Sequence, residues 1–235
     1  MNKVMIIGGS SGIGKELALI FAKMGSHVIV TGRNEERLLQ VQNMFPDKIN
    51  VAILDINRSD APFILNRLAA EFGRVDILVL CAGGGDENPK LTWSVENSTI
   101  MLNVHAFART AQWAYVMMKH HQRGHLVAIT SVAGIRGLRQ APAYSAAKSF
   151  QIRYLEALRA KAYQEKSSIK ITDVRPGFMG IKEGKNRRWV SSYNKSANQI
   201  YRAILKKKTV VYVSRRWRLP AALLQILPGR ILIRL

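Results

Sequence analysis

Lys3-Val4-Met5-Ile6-Ile7-Gly8-Gly9-Ser10-Ser11-Gly12-Ile13-Gly14 decides how this chain folds. Val4 to Ile7 is a short unbroken apolar run, the pattern of a strand buried on both faces. The glycines come next, and Leu17, Ile20, Phe21 and Met24 follow at helical spacing. Strand, glycine-rich turn and helix in that order aim backbone N–H groups and a helix N-terminus at a phosphate. The spacing of Gly8, Gly12 and Gly14 is Gly-x-x-x-Gly-x-Gly rather than the commoner Gly-x-Gly-x-x-Gly. Taken alone, such a triad is equally a flexible turn.

Outward from that turn, strands and helices alternate. Strands are expected at His27–Thr31, Val51–Leu54, Ile77–Cys81, Leu126–Thr130, Lys170–Val174 and Thr209–Val213. Helices are expected at Glu35–Met44, Asp60–Phe72, Ser94–His121, from Tyr144 to about Gln164, and at Asn194–Lys207. This alternation predicts an α/β fold, a doubly wound parallel sheet in a single domain, with ligands at the carboxyl ends of the strands. Residues 1–213 form that domain, with a short substrate segment at about 178–193, and 214–235 form a basic and apolar C-terminal tail.

A second pattern carries chemistry. Ser131 follows the apolar run Leu126 to Ile129, and Tyr144-Ser145-Ala146-Ala147-Lys148 opens the next helix. One helical turn separates Tyr144 from Lys148, so both side chains point the same way. A free phenol, with a pKa near 10, is a poor acid or base at neutral pH. A nearby ammonium favours the phenolate and is expected to lower that pKa. A hydroxyl such as Ser131 can hold a substrate oxygen beside the phenol. The set suits moving a proton on or off an alcohol or carbonyl oxygen.

With these residues in hand, the chain resembles the short-chain dehydrogenase/reductase (SDR) family, of the NADP-preferring type. The resemblance runs from about Lys3 to Gly177 and follows the family's order: Gly8 to Gly14, Asp55, Ala82-Gly83, Asn103, Ser131, Tyr144, Lys148 and Pro176-Gly177. It implies a Rossmann-type sheet, a nicotinamide cofactor and hydride transfer. Tyr144 is then the proton donor or acceptor, Lys148 lowers its pKa and binds the nicotinamide ribose, and Ser131 positions the substrate oxygen. Asn103 completes a proton relay through water. The implied cofactor-binding set is Gly8, Ser10, Ser11, Gly12, Ile13, Gly14, Arg33, Asp55, Ala82, Gly83, Tyr144, Lys148, Pro176 and Gly177. Three departures stand out. Ile7 replaces the family's Thr, Leu80-Cys81 replace its Asn-Asn, and Ile181 stands near the usual Thr that touches the carboxamide. Losing polar partners on adjacent strands together strands no buried group, so Ile7 and Leu80 are expected to repack as an apolar pair.

Cofactor preference turns on Val30-Thr31-Gly32-Arg33-Asn34. NAD-binding folds usually place a carboxylate here for the ribose 2′-OH. This chain has Arg33, which suits the 2′-phosphate of NADP(H), with Arg37 beside it. An ordinary surface arginine is the alternative. Asp55 resembles the family residue near the adenine ring, and is otherwise a turn or cap aspartate.

The 235 residues carry 36 Lys and Arg against 15 Asp and Glu, a net charge of +21. From Lys182 to Leu235 there are 14 basic residues and one acidic one. An anionic membrane surface and a solvated basic face both fit. Nucleic acid fits less well, because no recognisable nucleic-acid-binding motif accompanies the charge. The first residues enter the strand directly, so no signal peptide is expected, and no apolar run is long enough for a membrane span. The single cysteine, Cys81, excludes an internal disulfide framework and reads as a small core residue. The scattered histidines show no ligand spacing, so no metal site is expected. In the tail, Pro220 is placed to start a short helix and Pro228-Gly229 to end it. Its arginines, Trp217 and leucines suit a membrane interface, or else a packing arm or a homo-oligomer contact.

The function expected is an NADPH-dependent carbonyl (ketone) reductase or alcohol dehydrogenase acting on a hydrophobic or lipid-like substrate. The segment after Gly177 carries Phe178, Met179, Ile181, Trp189 and Val190, which implies a hydrophobic substrate. A cytoplasmic protein, peripheral at the inner face of the membrane, fits this reading. The alternative is a non-catalytic NADP-binding or membrane-associated interaction protein on the same fold.

Overall fold

The computed structural model describes residues 2–179, 189–228 and 230. Seven parallel strands form one sheet. They are β1 (Lys3–Ile7), β2 (His27–Gly32), β3 (Ile49–Ile53), β4 (Ile77–Leu80), β5 (Arg123–Ile129), β6 (Ser168–Pro176) and β7 (Val210–Val213). Their spatial order is β3-β2-β1-β4-β5-β6-β7. The order reverses between β1 and β4, and ligands of such sheets bind at that switch point.

Strand pleating sorts the apolar residues into two cores. Met5, Ile7, Ile29, Leu78, Leu80, Leu126 and Ala128 face one side. Val4, Ile6, Val28, Val30, Ile77, Val79, Val127 and Val174 face the other. Because successive side chains alternate across a strand, an unbroken apolar run feeds both layers. The first layer is closed by α3 (Ala61–Phe72), α5 (Phe107–His120) and α6 (Pro142–Gln164). The second is closed by α1 (Gly12–Lys23), α2 (Glu35–Gln42) and α7 (Tyr193–Leu205). The doubly wound α/β expectation is therefore observed, with helices on both faces. Ile7 pairs in register with Leu80, and each is 1% exposed. The two departures from the family's polar pattern thus meet as an apolar contact.

One element differs from expectation. The helix expected over Ser94–His121 is three pieces: α4 (Trp93–Ile100), a π-helical turn at Met101–Ala106, and α5. Asn103 sits in the π turn. A π turn widens the helix and reorients its carbonyls, and such turns recur at functional sites. After β7 a 3-10 turn at Arg215–Trp217 leads into α8 (Arg218–Ile226). Pro220 lies in its first turn, where a missing N–H costs nothing. Among the described residues, no helix is long and apolar enough to cross a membrane.

Candidate active site

The glycine turn is built by close backbone approach. The N–H groups of Gly8 and Gly9 both donate to the Thr31 carbonyl at 2.9 Å, tying the turn to β2. Gly8 has φ +85°, and a Cβ there would lie 2.4 Å from the Ala82 nitrogen. A Cβ on Gly14 would lie 2.3 Å from the Gly8 carbonyl oxygen. Larger residues at either position would push β1, β4 and α1 apart. The first turn of α1 is thereby held against the carboxyl ends of β1 and β4.

A cavity of about 770 Å³ opens there, within the size range of cofactor pockets. Gly8, Ser10, Ser11, Gly12, Ile13 and Gly14 line its turn side. Arg33, exposed just past β2, and Asp55, after β3, line the far end. Asp55 also serves the local turn, its Oδ1 accepting from the Asn57 N–H at 2.9 Å. Ala82 and Gly83 line the floor after β4, and Pro176 and Gly177 the opposite wall after β6. The structure thus brings the whole expected cofactor set to one cavity. Ile181 lies outside the described residues.

Ser131, Tyr144 and Lys148 converge on the same cavity. Ser131 starts a 3-10 turn after β5, its Oγ accepting from the Ala133 N–H at 3.0 Å, and its hydroxyl also meets the Tyr144 phenol. Lys148 Nζ lies 5.6 Å from the Tyr144 ring centroid. Burial pushes the Tyr144 phenol up, and the Ser131 hydrogen bond opposes that shift. Burial also draws the Lys148 ammonium down to about 8, opposed chiefly by the charge of Asp173. The lowered phenol expected from the Tyr-x-x-x-Lys spacing is therefore not what the structure gives. The cost of burying the phenolate outweighs the other influences on Tyr144. Cys81 lines the cavity too, but burial pushes its thiol up to about 12, which leaves it protonated and inert.

Asn103 is fully buried and does not line the cavity directly. Its side chain holds the floor loop, with Nδ2 donating to the Gly84 carbonyl at 2.6 Å and Oδ1 accepting from the Gly84 N–H at 3.3 Å. A Cβ on Gly85 would lie 2.5 Å from the Tyr144 ring, so this loop packs flat on the phenol. The Asn103 main-chain carbonyl accepts from Gln151 Nε2 at 2.9 Å.

Several residues line the site that the sequence did not place there. Trp217 and Leu224, both from the tail, line the cavity. Gly177 has no room for a side chain, because a Cβ would lie 1.9 Å from Trp217 Nε1. Trp217 also packs on Phe178 and Trp189, each ring centroid 5.4 Å from its own. Arg136, on the loop between β5 and α6, donates to the carbonyls of Leu224 at 2.6 Å, Gln225 at 2.8 Å and Leu227 at 3.1 Å. These are carbonyls that the end of α8 leaves unpaired, and a guanidinium is the group that satisfies several at once. The Arg-Arg-Trp-Arg run and its leucine-rich stretch offered a packing arm among their readings, and Trp217 and α8 pack on the domain in that way.

A dinucleotide-sized cavity at the switch point of a parallel sheet, with a phenol, an ammonium and a hydroxyl at one end, defines an NAD(P)-dependent oxidoreductase. The comparisons name the family: the short chain dehydrogenase profile matches residues 2–188, and the chain belongs to that family. An oxidoreductase of Myxococcus xanthus is 35% identical over 184 residues, covering 74% of this chain and 71% of the relative. Among solved structures, the apo form of LigD from Sphingobium aligns with a TM-score of 0.83 over 95% of this chain and 94% of its own, at 22% identity. ElxO, solved with NADP bound, aligns with a TM-score of 0.80 over 90% and 96%, at 23% identity. At these identities the two structures speak for the fold.

Proposed function

We propose that the chain is an NADPH-dependent reductase of hydrophobic ketones, with Tyr144 as the proton donor. The observation that carries this reading is the convergence of Ser131, Tyr144 and Lys148 on one cavity with the glycine turn. NADPH would be held by the first turn of α1, by Arg33 at its 2′-phosphate, by Asp55 near the adenine and by Lys148 at the ribose. When bound it supplies a hydride to the carbonyl carbon. Ser131 would then hold the carbonyl oxygen, and the Tyr144 hydroxyl would give that oxygen its proton as the C=O double bond is reduced to a single bond and its π pair moves onto oxygen. A phenol with a raised pKa stays protonated at neutral pH, which suits donation to a strongly basic alkoxide. The Lys148 ammonium stabilises the phenolate left behind. Asn103 contributes by fixing the loop that lies on Tyr144. That ElxO was solved with NADP, and that Arg33 stands where a carboxylate would select NAD, both support the cofactor choice.

The substrate wall is apolar and aromatic, formed by Phe178, Met179, Trp217 and Leu224. This favours a hydrophobic ketone over a sugar. Beyond the wall, α8 presents Leu219, 81% exposed, and Ile226, 78% exposed, outward, with Leu223 between them and Arg215 and Arg218 nearby. That combination supports peripheral contact with an anionic membrane surface, and flotation with anionic liposomes that fails at high salt is the expected result. The catalytic reading is tested by NADPH oxidation across a panel of aliphatic, aromatic and lipid ketones. Turnover should rise with apolar size, and a panel without turnover would overturn it.

A further inference from the structure

Lys148 is 3% exposed, yet its charge must survive for the proposed chemistry. A buried ammonium has three donors and no acceptor of its own, so its neighbours decide where it points and how readily it keeps its proton. Among the described residues its bonded acceptors are Gln151 Oε1 at 3.0 Å and the Ile129 carbonyl at 3.4 Å, the latter near the limit of a hydrogen bond. Gln151 lies three residues further along α6 and is fully buried.

We propose that Gln151 is a positioning residue whose carboxamide, oriented by the main-chain carbonyl of Asn103, fixes the Lys148 ammonium beside Tyr144. The orientation follows from the bonds at its two ends. Nε2 donates to the Asn103 carbonyl at 2.9 Å, so Oε1 must face Lys148. Flipping the amide would set NH2 against ammonium and carbonyl against carbonyl, losing both bonds at once. The π turn has a direct part in this, because it is the element that carries the Asn103 carbonyl. The SDR resemblance implies a proton relay from Asn103 through water. Here a protein amide spans the Asn103 carbonyl and Lys148. A carboxamide holds a charge in place but passes no proton onward without tautomerising, so this link positions Lys148 and does not feed it.

The other groups around the ammonium cannot do the same work. On its own helix Tyr144 presents its ring, 5.6 Å away. From the end of β4 comes the Cys81 thiol, kept neutral by burial, and from β6 the Asp173 carboxylate, which favours the charged form through space. Asp173 is already bonded, its Oδ1 accepting from Thr130 Oγ1 at 2.6 Å and its Oδ2 from Arg175 Nε at 2.7 Å. Arg159 and Arg175 add positive charge around that carboxylate. Gln151 is therefore the side chain that bonds the ammonium directly, and it can be replaced without breaking the Asp173 network.

The proposal rests on the reductase reading for its purpose, though not for its geometry, so the experiment reads Lys148 itself. Protein labelled with 13C at the lysine ε carbons is titrated by NMR, the Lys148 signal being assigned by its loss in Lys148→Arg. The unaltered protein should show a midpoint near 8. Gln151→Met keeps the length but removes the acceptor, and should lower the midpoint. Gln151→Glu keeps the shape and adds charge, and should raise it by about one unit or more. In the unaltered protein the Gln151 carboxamide protons should exchange slowly with solvent. Midpoints that stay put in both variants, or move the same way, would overturn the proposal, as would fast carboxamide exchange. Should Gln151→Met not fold, Gln151→Glu and the exchange rate decide. If the midpoints move as stated but no ketone is reduced, the reductase reading fails and the Gln151 lock stands. If ketones are reduced and the midpoints do not move, only the lock fails.

Discussion

The two walls of the cavity are made in opposite ways. On the cofactor side, Gly14 lies backbone against backbone on Gly8, six residues earlier, and the turn so formed is seated on Ala82 and bonded to the Thr31 carbonyl. On the substrate side, Trp217 crosses from the far end of the chain to lie on Gly177, and Arg136 reaches α8 across a separation of about 90 residues. The first wall is a local backbone conformation and the second a long-range docking. A local conformation leaves a readable signature, whereas docking depends on surfaces that meet only after folding. The cofactor wall should therefore fail by loss of binding, and the substrate wall by loss of selectivity.

The sharpest break of that comparison lies at the chemistry between the walls. Tyr144→Phe keeps the ring under the Gly85 loop and removes the proton. Turnover should fall by about 10² to 10⁴ with NADPH affinity nearly unchanged, measured by steady-state kinetics and fluorescence titration. Near-normal turnover would remove Tyr144 from its role. On the cofactor side, Arg33→Ala should weaken NADPH by roughly ten- to a hundredfold and leave NADH almost untouched. A charge-assisted bond to phosphate contributes about 1.5–3 kcal/mol. Equal losses for both cofactors would make Arg33 an ordinary surface residue.

On the substrate side, Arg136→Ala strands the carbonyls at the end of α8 and frees the arm. The expected result is a KM for bulky ketones raised by about tenfold, with NADPH affinity and the KM for small ketones little changed. The guanidinium is partly solvated, so its bonds are discounted from their buried value. A uniform loss for all substrates would mean that the arm supports the whole fold. The smallest effect lies away from both walls. His125 on β5 is buried against Thr172, and burial, with Lys207 and Lys170 nearby, holds its pKa down to about 4. In the unfolded chain the imidazole returns to its ordinary value near 6.5 and binds a proton that the folded form refuses. Stability from this group is thus complete above about 6.5 and declines as the pH falls toward 4. His125→Gln should flatten the thermal-stability profile across that window.

What the sequence made legible follows the same division. The seven strands, the helix carrying Tyr144 and Lys148, and the glycine turn all rest on short-range spacing, and each was placed to within a few residues. The π turn at Met101–Ala106 was not, since Met101 to Ala106 has ordinary helical composition and the extra residue per turn is settled by packing against α6. Ile7 and Leu80 were legible as a pair because they are in-register neighbours on adjacent strands. Trp217 was read with the tail, because neither its own neighbours in sequence nor its charge context shows that a glycine 40 residues earlier leaves a slot for an indole. Gln151 was overlooked for a similar reason. It stands one turn after Lys148, where an apolar residue would have satisfied the helix equally well.

Tyr144, Lys148 and Gln151 share one unbroken helix, α6, of 23 residues. Their separations along the axis are set by the rise of the helix, about 1.5 Å per residue, and not by how the C-terminal arm is seated. On the proposed reductase reading, changes confined to the arm would alter which ketones enter, leaving the proton machinery in place. Descendants of such a scaffold can diverge in diet by redrawing some twenty residues at one end, and inherit their chemistry whole.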